Sequence, residues 1–344
     1  MVRCSPGYKK FIVYVMFFCA GIFYTCTTFA QQRVQKILGA DISFLPQLEA
    51  RGIKFSDNGV NKDVLQILKE HGFNYIRLRI FVNPEADSGY SPKKGFCNFA
   101  YTLQMAKRIK AAGMGFLLDF HYSDTWADPG KQFKPAAWKN LTYPKLVKQV
   151  HDYTEDVVMS LKEQGVMPDM VQIGNEINHG ILWPTGNIKN VDSLAGLLKA
   201  GIKGVRDVDK HIKIMLHIAC GGQNEESRSF IDSMLARHVK FDIIGESYYP
   251  RWHGTIQELR DNLNDLSRRY RQDVLVAEYT EKKQEVNDIA FTLPRGDIEG
   301  TFIWEPLNTW EQIFDKQGAA NALINIYPEI ARKYAIPPAG SLAK

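Results

Sequence analysis

Along residues 37–331, short apolar runs alternate with longer segments whose apolar positions recur every three or four residues. The short runs predict strands over 37–43, 75–81, 115–122, 170–178, 212–219, 242–249, 273–280 and 298–306. The longer ones predict helices over 61–71, 99–112, 145–164, 194–208, 227–237, 255–270, 286–293 and 318–331. Gly72, Gly113 and Gly165 each follow a helical segment, where a residue free to adopt positive φ ends a helix. Gly201 and Gly204 weaken the fourth helix only slightly. A long polar loop, 123–139, separates the third strand from its helix. Strands that read as near-continuous apolar runs belong to a parallel sheet covered by helices. Eight such units, without a glycine-rich phosphate loop, predict an α/β fold: a closed (β/α)8 TIM barrel rather than an open doubly wound sheet.

Length and composition leave that picture intact. The chain has 344 residues, 45% hydrophobic and 24% charged, as ordinary globular proteins do. That length fits two domains, but such barrels exceed 250 residues as one unit. No low-complexity linker cuts the chain, so 31–344 is expected to form one catalytic barrel domain. Residues 1–30 resemble a secretory signal peptide: Arg3, Lys9 and Lys10, an uncharged apolar run from Phe11 to Phe23, then Thr28-Phe29-Ala30 as a small-x-small cleavage site. Export is expected, free or surface-attached; the apolar run is shorter than the ~20 residues of a spanning helix. Beyond the leader the net charge is only +2, which gives no support to a nucleic-acid partner. Cys4, Cys19 and Cys26 lie in the leader, leaving Cys97 and Cys220, too few for a disulfide framework and without metal-ligand spacing. Two separate buried thiols, no metal, no cofactor and a monomer are expected.

In a barrel of this kind the site is built at the C-terminal strand ends. There the sequence places Asp41 and Ser43; Arg77 and Arg79; Asp119, His121, Tyr122 and Asp124; Asn175 and Glu176; His217; Glu246, Ser247, Tyr248 and Tyr249; Glu278; Trp304 and Glu305. Aromatic rings beside carboxylates suit a sugar, whose C–H faces stack while its hydroxyls take polar partners. No HxH pair of a metal-dependent barrel hydrolase is present. Glu176 closes a strand whose Gly174 allows close backbone approach, and Glu278 stands about a hundred residues on. One such glutamate alone is more often a helix cap or half of an ion pair. Two across a barrel mouth suit glycoside hydrolysis, with one carboxyl protonated as general acid and the other ionised. Glu176 is expected as acid/base, raised by burial and by the second carboxylate; Glu278 as nucleophile, held down by a nearby Arg77; Asn175 as a partner of the sugar 2-hydroxyl. Arg77, His121, His217, Tyr249 and Trp304 each have an ordinary structural reading too, as ion-pair, core or packing residues.

Several longer motifs sharpen this. They are Gly39-Ala40-Asp41-Ile42-Ser43, Ile76-Arg77-Leu78-Arg79 before Val82-Asn83-Pro84, the run from Leu118 to Gln132 that includes Asp119, His121, Asp124 and Trp126, Gly174-Asn175-Glu176-Ile177, Leu182-Trp183-Pro184-Thr185-Gly186, Ser247-Tyr248-Tyr249-Pro250 and Trp304-Glu305-Pro306. In these the chain resembles the endo-β-1,4-galactanases of glycoside hydrolase family 53, over nearly all of 37–334. The resemblance implies a (β/α)8 barrel with catalytic carboxylates on strands four and seven, Glu176 as proton donor, Glu278 as nucleophile, and retention of configuration. It implies β-1,4-galactan, the side chain of type I arabinogalactan, as substrate. Asp41, Arg77, Asp119, His121, Asp124, Trp126, Asn175, His217, Ser247, Tyr249 and Trp304 are the expected substrate-binding residues. The chain departs from many relatives at 221–230, where paired tryptophans are missing. It departs again after Glu278, where no Asp-rich calcium series appears, and at Leu307-Asn308-Thr309-Trp310. Two other readings stand beside this one: a related barrel hydrolase acting on mannan or a β-glucan, and a non-catalytic glycan-binding barrel.

Overall fold

The computed structural model describes residues 1–2, 34–307 and 311–341. Residues 3–33, which hold nearly all of the leader, and the stretch 308–310 therefore lie outside the described residues, with the expectations that fall on them. Residues Val34–Lys344 form one compact unit. Its centre is a closed barrel of eight parallel strands: β1 (Gln35–Asp41), β2 (Tyr75–Ile80), β3 (Gly115–Phe120), β4 (Met170–Ile173), β5 (Lys213–Ile218), β6 (Ile243–Tyr248), β7 (Asp273–Tyr279) and β8 (Ile298–Trp304). Each strand pairs with its neighbours in chain order, and β8 closes on β1 over seven residue pairs, Gln35 with Ile298 through Asp41 with Trp304. The helices on the outside are α1 (Val64–Glu70), α2 (Phe99–Ala111), α3 (Tyr143–Glu163), α4 (Val191–Val208), α5 (Asn224–Ala236), α6 (Ile256–Arg269), α7 (Lys283–Ala290) and α8 (Ile326–Lys333).

The helix starts follow their caps. Asp63 accepts from Leu65 N–H at 2.7 Å, so α1 begins at Val64 rather than at Asn61, which pairs in a short hairpin. Thr255 and Glu258 form a reciprocal capping box at α6. The last helix is shorter than the pattern predicts. Residues 318–321 run into a 3-10 turn over Ala322–Asn325, and Ala319 bridges Ser56, so only Ile326–Lys333 is α-helical.

Two apolar layers hold the fold. Ile37, Tyr75, Leu117, Met170, Met215, Ile243, Leu275, Ala277, Ile298 and Phe302 fill the barrel lumen. A larger shell packs the outer strand faces against the helices. At ~25 cal/mol per Å2 of apolar surface removed from water, this burial is the dominant stabilising contribution. Gly39 makes room for the lumen: a Cβ there would sit 2.2 Å from the Phe302 ring. Cys97 and Cys220 are buried free thiols. Above the lumen hydrocarbon, towards the C-terminal strand ends, inward positions turn polar. That change of layer positions the site.

Candidate active site

Arg77 is the centre of the polar layer and is 1% exposed. Its Nη1 meets Asp41 Oδ2 at 2.9 Å and Glu278 Oε1 at 2.7 Å; its Nη2 meets Asp119 Oδ2 at 2.8 Å and Asn175 Oδ1 at 2.9 Å; its Nε donates to Gln172 Oε1 at 3.1 Å. One guanidinium thus engages three carboxylates and two amides from β1, β3, β7, β4 and the turn that follows β4. A planar fork with five donors can do this; an ammonium cannot. Asp119 also faces His121 Nε2 at 3.1 Å. The Ala127 N–H donates to His121 Nδ1, so the ring hydrogen lies on Nε2 and points at Asp119.

The two glutamates share one cleft and have opposite surroundings. Glu176 follows Gly174, whose φ is +85°, and itself has φ 48°. A Cβ at Gly174 would lie 2.6 Å from Ile177 Cγ2, so the turn needs glycine. This left-handed backbone at Glu176 is uncommon for a non-glycine residue and turns its carboxyl off the strand direction. Glu176 Oε1 accepts from Ser247 Oγ at 2.7 Å, and no cation pairs with it among the described residues. Burial, then the charge of Glu278, pushes its carboxyl up to about 8. Glu278 is clamped on both oxygens, by Arg77 and by the Tyr249 hydroxyl at 2.9 Å. Burial raises its pKa and outweighs the lowering by Arg77 and Tyr249, so the net direction is upward, against the expectation that Arg77 would hold it down.

The cleft has a volume of about 370 Å3. Of the expected residues, Asp41, Arg77, His121, Trp126, Asn175, Glu176, Tyr249, Glu278 and Trp304 line it. Trp126 and Trp304 meet edge to face at 6.1 Å, and Tyr249 meets Trp304 at 6.3 Å. Asp119, Asp124, His217 and Ser247 do not line it. Asp119 and His217 are fully buried one layer down, and Ser247 sits behind Glu176. Asp124 accepts from the N–H groups of Asn83 at 3.0 Å and Ala136 at 2.8 Å, so it fixes the long loop. Glu246 and Tyr248 alternate with Ser247 and face outward. Glu246 is buried against Ser227, Asn262 and the Cys220 N–H, with its carboxyl pushed up to about 8 by burial.

Sequence reasoning gave no role to Gln172, Arg79, Asp128, Lys131 or Trp252. The last four line the cleft as well. The Arg79 guanidinium lies 4.4 Å from the Trp126 ring centroid and pairs with the buried Glu305. The signal for Gln172 was available: a polar residue in the middle of an apolar strand. A second cavity of about 820 Å3 is lined by residues between Asn178 and Arg237, among them several of the stretch where the tryptophan pair is missing. Among the described residues no group of three or more His, Cys, Asp or Glu is placed to hold a metal ion.

A carboxyl kept protonated, facing a carboxylate held by a cation and a phenol, in a cleft walled by indole rings, is fit for acid-assisted displacement at an acetal carbon. The model of glycosyl hydrolase family 53 matches residues 37–326. An uncharacterized protein of Niallia circulans is 49% identical over 70% of this chain and 66% of its own length. A probable arabinogalactan endo-β-1,4-galactanase A of Neosartorya fischeri is 40% identical over 70% of this chain and 68% of its own. The chain therefore spans about two thirds of the length of these curated relatives. The solved family 53 catalytic domain of Ignisphaera aggregans superposes with TM-score 0.79 at 36% identity, over 85% of this chain and 95% of that one. Fold, motifs and family model coincide over the same barrel, and the chain belongs to glycosyl hydrolase family 53.

Proposed function

We propose that this glycosidase cleaves β-1,4-galactosidic bonds in galactan and type I arabinogalactan with retention of configuration, and that it does so after export. The substrate follows from the relatives' names, and export from the leader sequence alone. The observation that carries the mechanism is the unequal setting of two glutamates in one cleft: Glu278 held by Arg77 and Tyr249, Glu176 bonded, among the described residues, to the neutral Ser247.

A Glu278 oxygen attacks the anomeric carbon as the glycosidic C–O bond breaks. Glu176 gives its proton to the departing sugar oxygen. Water then attacks the glycosyl–Glu278 ester, passes a proton to the Glu176 carboxylate, and Glu278 leaves. Asn175 spends one amide hydrogen on the Ala127 carbonyl at 2.8 Å, which leaves the other for the sugar 2-hydroxyl. The indole walls exclude water and stack on the sugar's C–H faces.

Glu176→Ala and Glu278→Ala should each reduce galactan hydrolysis by several orders of magnitude. The first product seen by NMR should be the β-anomer. Near-normal rates in either variant would overturn the assignment, and an α-anomer would overturn retention. A panel of galactan, mannan and β-glucan tests the sugar. Faster turnover of mannan or β-glucan rejects galactan, and binding without turnover supports the glycan-binding barrel.

A further inference from the structure

Behind Glu176 runs a buried chain of side chains whose first two members, Ser247 and His217, do not line the cleft. Ser247 Oγ lies 2.7 Å from Glu176 Oε1 on one side and 2.8 Å from His217 Nε2 on the other. His217 Nδ1 lies 3.0 Å from both Gln172 Nε2 and Asn175 Oδ1. Ser247 and His217 are each 0% exposed. The amide orientations are fixed by partners with one possible role. Arg77 only donates, so the atoms it meets on Gln172 and Asn175 are oxygens. The Gln172 nitrogen donates to Asp119 at 2.6 Å and the Asn175 nitrogen to the Ala127 carbonyl. His217 Nδ1 therefore faces one group that only donates and one that only accepts.

Two proton arrangements fit these heavy atoms. With its hydrogen on Nε2, His217 donates to Ser247, and Nδ1 accepts from Gln172. The Ser247 hydrogen is then aimed at Glu176 Oε1. With its hydrogen on Nδ1, His217 donates to Asn175 and accepts from Ser247. Oε1 of Glu176 must then carry the proton itself, pointed away from the cleft. Only the first arrangement tolerates an ionised Glu176, because in the second two acceptor oxygens face each other at 2.7 Å. An acid/base glutamate passes through its ionised form in every turnover. The ring itself stays neutral, since burial and the Arg77 charge hold its pKa well below the usual value.

We infer that Ser247 and His217 are positioning residues for the proton of Glu176: the Nε2–H tautomer caps Oε1 and leaves Oε2 as the only seat for that proton. Oε2 takes no hydrogen bond from a described residue. This rests on the reading of Glu176 as the proton donor. In the first half of the reaction the proton waits on the oxygen that delivers it. In the second half the same hydroxyl stabilises the carboxylate that takes a proton from water. No atom of the chain has to move except hydrogens.

The test compares two leaving groups. A sugar hydroxyl leaving from galactan needs the proton; the 2,4-dinitrophenolate of an aryl β-1,4-galactobioside leaves without it. Ser247→Ala and His217→Gln should each lose about 10- to 100-fold in kcat/KM on galactan, part of what general acid catalysis supplies. Both should stay within about threefold of wild type on the aryl substrate. Equal losses on both substrates indicate a structural role and overturn the proposal, as does an unchanged rate on galactan. Ser247→Ala removes a single oxygen, and it decides the matter if His217→Gln does not fold. Glu176→Ala is the reference. If it retains galactan hydrolysis, the reading of the donor fails; if it alone shows the leaving-group split, only the inference about Ser247 and His217 fails.

Discussion

Arg77 Nη1 lies 2.7 Å from Oε1 of Glu278, and the same guanidinium meets Asp41 and Asp119 at 2.9 and 2.8 Å. One buried cation therefore balances three buried carboxylates, with Arg79 3.8 Å from Asp41 as the next positive charge. Breaking a buried pair costs far more than forming it gains, because a desolvated charge is left behind. Arg77→Lys keeps the charge but not the fork. It should destabilise the fold by about 3–5 kcal/mol and cut turnover on galactan at least a hundredfold. Urea unfolding and kcat decide it; a lysine variant with native stability would show that the cluster is not organised around this side chain.

The pH dependence follows from the same cluster. Glu176 is pushed up to about 8, by burial first and by Glu278 second, and Glu278 is also raised. Two interacting carboxyls lose their protons in two steps that belong to the pair. The working form carries one proton. Below the lower step Glu278 is protonated and cannot attack; above the upper step Glu176 has lost the proton it must donate. The profile of kcat/KM should be a bell whose basic limb falls near pH 8. In Glu278→Gln the neighbouring charge is gone, so the Glu176 carboxyl should titrate lower, as followed by 13C NMR. A higher value there would reject the coupling.

Tyr249 offers a check on the other carboxyl. Its hydroxyl donates to Glu278 Oε2 at 2.9 Å and favours the ionised form. Tyr249→Phe removes one hydrogen bond to a charge, worth roughly 1.5–3 kcal/mol. The Glu278 pKa should rise, so the acid limb of the profile should move to higher pH while the basic limb stays. A shift of the acid limb to lower pH would show that the hydroxyl does not stabilise the carboxylate.

Much of this was legible in the chain. Eight apolar runs gave eight strands, because a strand buried on both faces must be apolar at nearly every position. Glu176 and Glu278 stood out because each is a charged residue closing such a run. What the sequence leaves open is which neighbour faces inward. Glu246 and Ser247 are adjacent, so one must point to the helices and the other to the lumen. The pattern could not say that the serine is inside and the glutamate outside. The bulge between them, where the β6–β7 register shifts, is set by pairing across strands. Asp124 carries a similar ambiguity: a carboxylate near a strand end serves a loop amide as readily as a sugar, and here it accepts from two loop N–H groups. The apolar spacing predicts too long a last helix because it continues through residues that instead bridge the segment before α1.

Gln172 shows how much a single inward polar residue can carry. It accepts from Arg77 Nε at 3.1 Å, donates to Asp119 Oδ1 at 2.6 Å, and stands 3.0 Å from His217 Nδ1. Gln172→Met keeps the volume and removes both amide roles. It orphans one hydrogen of Arg77 and one oxygen of Asp119, at roughly 1–3 kcal/mol each. Gln172→Glu keeps the shape but sets a second carboxylate against Asp119. Its cost should grow with pH, because the new group titrates above its unfolded value and the folded state resists its ionisation. Both variants should unfold at lower urea concentration than wild type at pH 7. The gap between them should widen on the alkaline side of the carboxylate range and close in acid. Parallel stability curves for the two variants across pH would mean that the glutamate finds a cation there, and that Arg77 has more capacity than its present contacts use.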